Sequence, residues 1–194
     1  TLLKSNGSPR PYTEIELVPV LQDKQIDDTR LWATSNSTGG FSFSDVPGGT
    51  YTLSINFDEK PTDNSPYQTF FYPATSNRTQ AKTFEITAGE KITGINFRVP
   101  PPLAQRRVAG KVVSADGKPV SGAFVYLRDV EYDKSLDLEL RSDRNGNFTL
   151  NGFETRQYQI GALLYEQSNP SVLDSPGKMI ASAYSPIFTL AATS

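Results

Sequence analysis

The chain has 194 residues, a formal net charge of -2 and 37% hydrophobic residues, enough for one core in each of two small domains. It has no His and no Cys, which excludes thiolate catalysis, disulfides, cysteine metal sites and an imidazole proton shuttle. The nearly balanced charge offers no basic field to nucleic acid or an anionic membrane surface, and no apolar run is long enough to span a bilayer.

The first turn signal pairs Gly7 with Pro9 and leads into an apolar stretch ending at Leu17. Thr38, Gly39 and Gly40 then form a hairpin signal ahead of Phe41 and Phe43, which begin an apolar face. Tyr51, Leu53, Ile55 and Phe57 alternate with polar residues, the period of a half-buried strand, and Phe84 with Ile86 repeats that period. Ile92, Ile95 and Phe97 predict one more strand beyond the turn at 88–90. The segment Val99–Arg107 follows, with three consecutive prolines at 100–102 that donate no ladder hydrogen bonds and favour an extended, stiff chain. It divides the sequence into expected domains 1–103 and 104–194, and its stiffness should limit their relative motion.

The second half uses the same devices. Val112 precedes an Asp116–Gly117 turn, Phe124 and Tyr126 alternate with Val125 and Leu127, and Leu136, Leu138 and Leu140 interleave with charged residues. Asn145–Gly146 supplies the next hairpin, after which Phe148 and Leu150 resume the apolar face. The similarity is a true duplication: residues 35–53 align without a gap on 142–160, pairing Ser35 with Ser142, Gly39 with Gly146, Phe41 with Phe148 and Tyr51 with Tyr158. Upstream, 6–17 aligns on 116–127, so Gly7 and Pro9 recur as Gly117 and Pro119. Each copy reads as about seven short strands with frequent turns and no helix, which predicts two tandem all-β Greek-key sandwiches. The segment 166–184 is left open between strands and loop.

The string GKVVSADGKPVSGAFVYL, the SDRNGNF hairpin and the strand QYQIGA together resemble the carboxypeptidase regulatory-like domain. That is a transthyretin-like sandwich related to the B-type repeats of bacterial collagen adhesins. The first copy, ending FFYPATSNRTQAKTFEITAGEKITGINFRVPP, is similar to versions found in tandem in large exported bacterial proteins, whereas the resemblance weakens beyond Tyr165. It implies a non-catalytic spacer or scaffold, without a cofactor, in an exported, cell-surface or periplasmic protein, partnered by neighbouring domains of the same polypeptide. The start at Thr1 reads as a fragment of a longer chain.

The alternative is a carbohydrate-binding module. Tyr67, Phe70, Phe71 and Tyr72 cluster between two prolines, and exposed aromatic faces there would grip the apolar side of an extracellular glycan, with Trp32 extending the platform. The expected ligand residues are Trp32, Tyr67, Phe71 and Tyr72; the competing reading buries these rings in the scaffold. Asp143, Asn145 and Asn147 have the spacing of a calcium loop with Glu154 at the twelfth position, but Phe148 occupies the sixth, where glycine is needed. Hairpin chemistry accounts for the same residues. Asp137 and Glu139 share one strand face at a separation a glycosidase pair could use, although nothing in the sequence raises the pKa of either. Lys4 and Asn96 are residue types that can form an isopeptide bond between the first and last strands of copy one.

Overall fold

The computed structural model describes residues 1–20, 30–87, 89–132, 140–166 and 178–192. The chain forms two compact units, Thr1–Leu103 and Ala104–Ser194. Both are all-β sandwiches; among the described residues the helical content is a 3-10 turn at Arg78–Gln80, and no helix is long and apolar enough to cross a membrane.

Unit 1 contains β1 (Leu2–Leu3), β2 (Glu14–Pro19), β3 (Leu31–Thr34), β4 (Gly49–Ile55), β5 (Phe70–Phe71), β6 (Thr83–Ile86) and β7 (Phe97–Arg98). The larger sheet is antiparallel in the order β3-β2-β4-β5, and β6 pairs with β4 beside residues 49–52 while β5 takes Ser54 and Ile55. Across from it β1 and β7 pair in parallel, Leu2 opposite Phe97. Apolar side chains drive the layers together: Ile15 and Leu17 from β2, Tyr51, Leu53 and Ile55 from β4, and Phe84 from β6 form one buried cluster with Leu2, Phe97 and Val99. The inward alternation of β4 is the one that the sequence predicts, but Thr52 and Ser54 on its other face are buried as well. The alternation also stops early. Asn56 takes a positive φ of 48° and turns the chain, so Phe57 leaves the strand face and meets Phe71 edge to face.

Unit 2 contains β8 (Gln105–Lys111), β9 (Phe124–Asp129), β10 (Leu140–Arg141), β11 (Asn147–Phe153), β12 (Gln157–Tyr165), β13 (Met179–Tyr184) and β14 (Phe188–Thr189). Its larger sheet has the order β10-β9-β12-β13, with β14 also on β12, and β8 and β11 make the facing antiparallel ladder. Val125, Phe148, Phe153, Tyr158 and Leu163 are buried in unit 2, with Val125 and Tyr158 on one face of the larger sheet and Leu163 on the other. Residues 179–184 thus form a strand, each residue of it exposed, and Glu166 N–H donates to Lys178 O beside it, whereas 167–177 and 136–138 lie outside the described residues.

The duplication extends to individual hydrogen bonds. Leu2 N–H donates to the Gly39 carbonyl at 2.7 Å, as Val112 N–H does to Gly146 at 2.8 Å. Thr13 N–H donates to the Ser35 hydroxyl, which donates to Arg10 O; Ala123 N–H donates to Ser142, which donates to Val120 O. Gly39 and Gly146 both have positive φ, 74° and 77°, and each lies against the carbonyl of Leu2 or Val112, where a Cβ would collide. The copies differ at one edge. Among the described residues, positions 40–46, the counterpart of β11, form no ladder, and the strand expected from Ile92 to Phe97 is paired at its end, β7.

Candidate functional site

The four expected ligand residues do not assemble into one exposed platform. Tyr67 and Phe71 are each only 2% exposed. Tyr67 is held in the core by Asn56, whose amide nitrogen donates to the carbonyls of Ser65 and Tyr67, and the Arg10 guanidinium lies 5.4 Å from its ring centre. Burial raises the pKa of the Tyr67 hydroxyl, against the opposing pull of Arg10. Tyr72 is half-buried, packed between Phe84 and Phe97 at ring separations of 5.6 and 5.8 Å. Trp32, 49% exposed, stands on β3 at the other edge of the sheet.

Around Trp32 lies a charged cluster without a motif in the sequence. Glu16 on β2 is 2% exposed. It accepts the Phe57 N–H at 2.7 Å and the Arg30 guanidinium at 3.1 Å, and Arg30 also donates to Phe57 O. Arg30 lies between the rings of Trp32 and Phe57, 5.4 and 5.6 Å from their centres, and Arg78 covers Phe57 at 4.9 Å. Burial pushes the Glu16 carboxyl up to about 7, with the Phe57 N–H pulling against it, Glu59 and Glu14 adding to it and Arg30 opposing it. The sequence signal, one acid inside EIELVP, looks like an ordinary outward strand position. What it lacks is any mark that the outer face is covered.

Unit 2 has its own buried ion pair. Arg156 holds Asp129 through two nitrogens, at 2.5 and 2.8 Å, and Glu131 at 2.9 Å. Burial alone would lower the guanidinium pKa, but the hydrogen bonds and charge of Asp129 more than reverse that. The remaining polar candidates serve the turns. One oxygen of Asp143 accepts the N–H groups of Asn145 and Asn147, both at 2.8 Å, and these bonds lower its pKa, that from Asn147 most. Asn36 does the same for Thr38 and Gly40 at 3.0 and 2.8 Å, with an amide in place of the carboxylate. Glu154 is held by Arg106 and by the Ala104 N–H rather than turned toward Asp143. Among the described residues no group of acids has the geometry of a metal site. The β1–β7 register puts Asn96 opposite Thr1, three positions, or roughly 10 Å, from Lys4, so this pair cannot form the isopeptide bond. Asp137 and Glu139 lie outside the described residues.

A groove of about 660 Å³ opens in unit 1. Phe41, Phe43 and Val46 form one wall, residues 90–96 the other, and Leu17, Leu53 and Phe84 the floor. Its lining mixes apolar side chains with Asp45, Glu90, Lys91 and Asn96, and among the described residues its acids form no metal-type cluster.

No known protein family and no curated protein matches the sequence. Among solved structures, the chain is similar to GBS52, the minor pilin of the Gram-positive pathogen Streptococcus agalactiae. Identity is 14% over 94% of this chain and 80% of that one, with a TM-score of 0.39, a likeness too loose to bear on shape or role.

Proposed function

We propose that the chain is a non-catalytic structural segment of a larger exported or cell-surface protein, built from two sandwiches of the carboxypeptidase regulatory-like type. The observation that carries this reading is the shared hydrogen-bond frame. In both units the side chains best suited to chemistry are engaged in holding turns or in buried pairs: Ser35 and Asn36 in one, Ser142 and Asp143 in the other, together with Glu16–Arg30 and Arg156–Asp129. A spacer works by keeping its own dimensions under load, and antiparallel ladders closed by side-chain locks resist extension as units.

Force spectroscopy on the whole chain tests this. Pulling from the two ends should give two discrete unfolding steps, each releasing roughly 300 Å of contour for about a hundred residues. A smooth extension without steps would overturn the mechanical role.

A further inference from the structure

Unit 2 shows which neighbour residues 41–46 lack. There, β8 runs antiparallel along the whole of β11, from Lys111 opposite Asn147 to Gln105 opposite Phe153. The duplication maps β11 onto residues 40–46 and Lys111 onto Thr1. The two ladders start alike, with Leu2 N–H on Gly39 and Val112 N–H on Gly146, but among the described residues 41–46 make no backbone hydrogen bond beyond that point. A second register reaches the same place from the other wall. The parallel pairing of Leu2 with Phe97 puts Thr1 beside Asn96, and the amino group of Thr1 donates to the Ile95 carbonyl. Continued through Thr1, that line would pass antiparallel to 41–46 and parallel to 91–95, along the groove that Phe41, Phe43 and Val46 line.

We propose that this groove is an acceptor for one extended β-strand, lying in line with β1 and completing the sheet between residues 41–46 and 91–95. Its chemistry follows from β8. Alternate residues Arg106, Val108 and Gly110 face inward and are partly buried. Gly110 sits under the Phe148 ring, where any Cβ would collide. The strand that fits therefore has glycine facing Phe41, the counterpart of Phe148, and an apolar residue two positions before it, as Val108 precedes Gly110. The apolar floor rewards burial, and the amides of 41–46, which make no backbone hydrogen bond among the described residues, supply the ladder, the two requirements of strand addition. An in-line strand forms this ladder without association entropy, so it is favoured over a separate peptide or a second copy. The inference does not depend on the spacer role.

The test compares the 194-residue chain with a version carrying Gln-Arg-Arg-Val-Ala-Gly ahead of Thr1, which repeats the β8 register. Hydrogen exchange at residues 41–46 and 91–95 should slow roughly tenfold or more in the extended protein. The unfolding midpoint of unit 1, read by Trp32 fluorescence, should rise. Valine in place of the added glycine should abolish both effects. Unchanged exchange on extension would overturn the proposal. So would protection that arises only from the free peptide or only from dimerisation of the unextended chain, because the occupant would then be a separate strand or a second copy.

Discussion

A carboxyl group shielded from water on a sheet face makes Glu16 the residue whose charge state governs unit 1. Folded, it holds its proton up to about pH 7, against 4.5 for an unperturbed glutamate. Between those values the folded state binds more proton than the unfolded state, so stability falls as pH rises through the window. Above it the full cost, on the order of 3 kcal/mol, opposes folding. Glu16→Gln retains an acceptor for the Phe57 N–H and loses the charge. Urea unfolding followed by Trp32 fluorescence should therefore show a smaller drop in midpoint from pH 5 to pH 7.5 than in the parent chain. An identical drop in both proteins would refute the assignment. Alternation places Ile15 and Leu17 inward and Glu16 outward, and that much is legible in the sequence. The lid over Glu16 is made by Arg30 and Phe57, and no local pattern records that distant residues come together there.

At the scale of elements, the hairpins were the most legible features because their chemistry is local. A positive-φ glycine, a polar side chain accepting two backbone N–H groups and an apolar pair behind them recur at 36–41 and 143–148. Gly146→Ala meets both the φ penalty and the Val112 carbonyl, whereas Gly117, at φ 82°, has nothing within 4 Å of a new Cβ. Gly146→Ala should thus cost about 1–3 kcal/mol or more, and Gly117→Ala only the backbone part, near 1 kcal/mol. Equal shifts in the urea midpoint would show that the carbonyl contact is relieved without cost. The strands were less legible. Phe41 and Phe43 have the correct alternation, and they do pack on the core, yet no ladder forms there. Alternation encodes which face a side chain takes, not whether a neighbouring strand is present. The aromatic cluster at 67–72 was ambiguous for the same reason. Its composition fits a platform or a core, and only the hydrogen bonds from Asn56 to the 65–67 backbone decide where Tyr67 goes.

For the molecule as a whole, one Trp in unit 1 and none in unit 2 allow the two cores to be followed separately. Asp129→Ala would leave the Arg156 guanidinium buried, with Glu131, itself 65% exposed, as its remaining carboxylate. The expected loss is about 3–5 kcal/mol, confined to unit 2. Circular dichroism should then show an early phase in denaturant while the Trp32 midpoint stays in place. Joint movement of both signals would mean that the cores unfold as one. The division at Leu103 and Ala104 is visible in how those neighbours are tied. Leu103 N–H bonds to Pro66 O in unit 1, and Ala104 O accepts Glu154 N–H in unit 2.

The exposed strand β13 has a chemical consequence. With one Met and no Cys, the chain contains a single sulfur atom, and Met179 holds it at 51% exposure. Mild peroxide should convert this thioether to the sulfoxide. The gain of one oxygen in the intact mass then reports, molecule by molecule, whether that margin is open to solvent or shielded in an assembly.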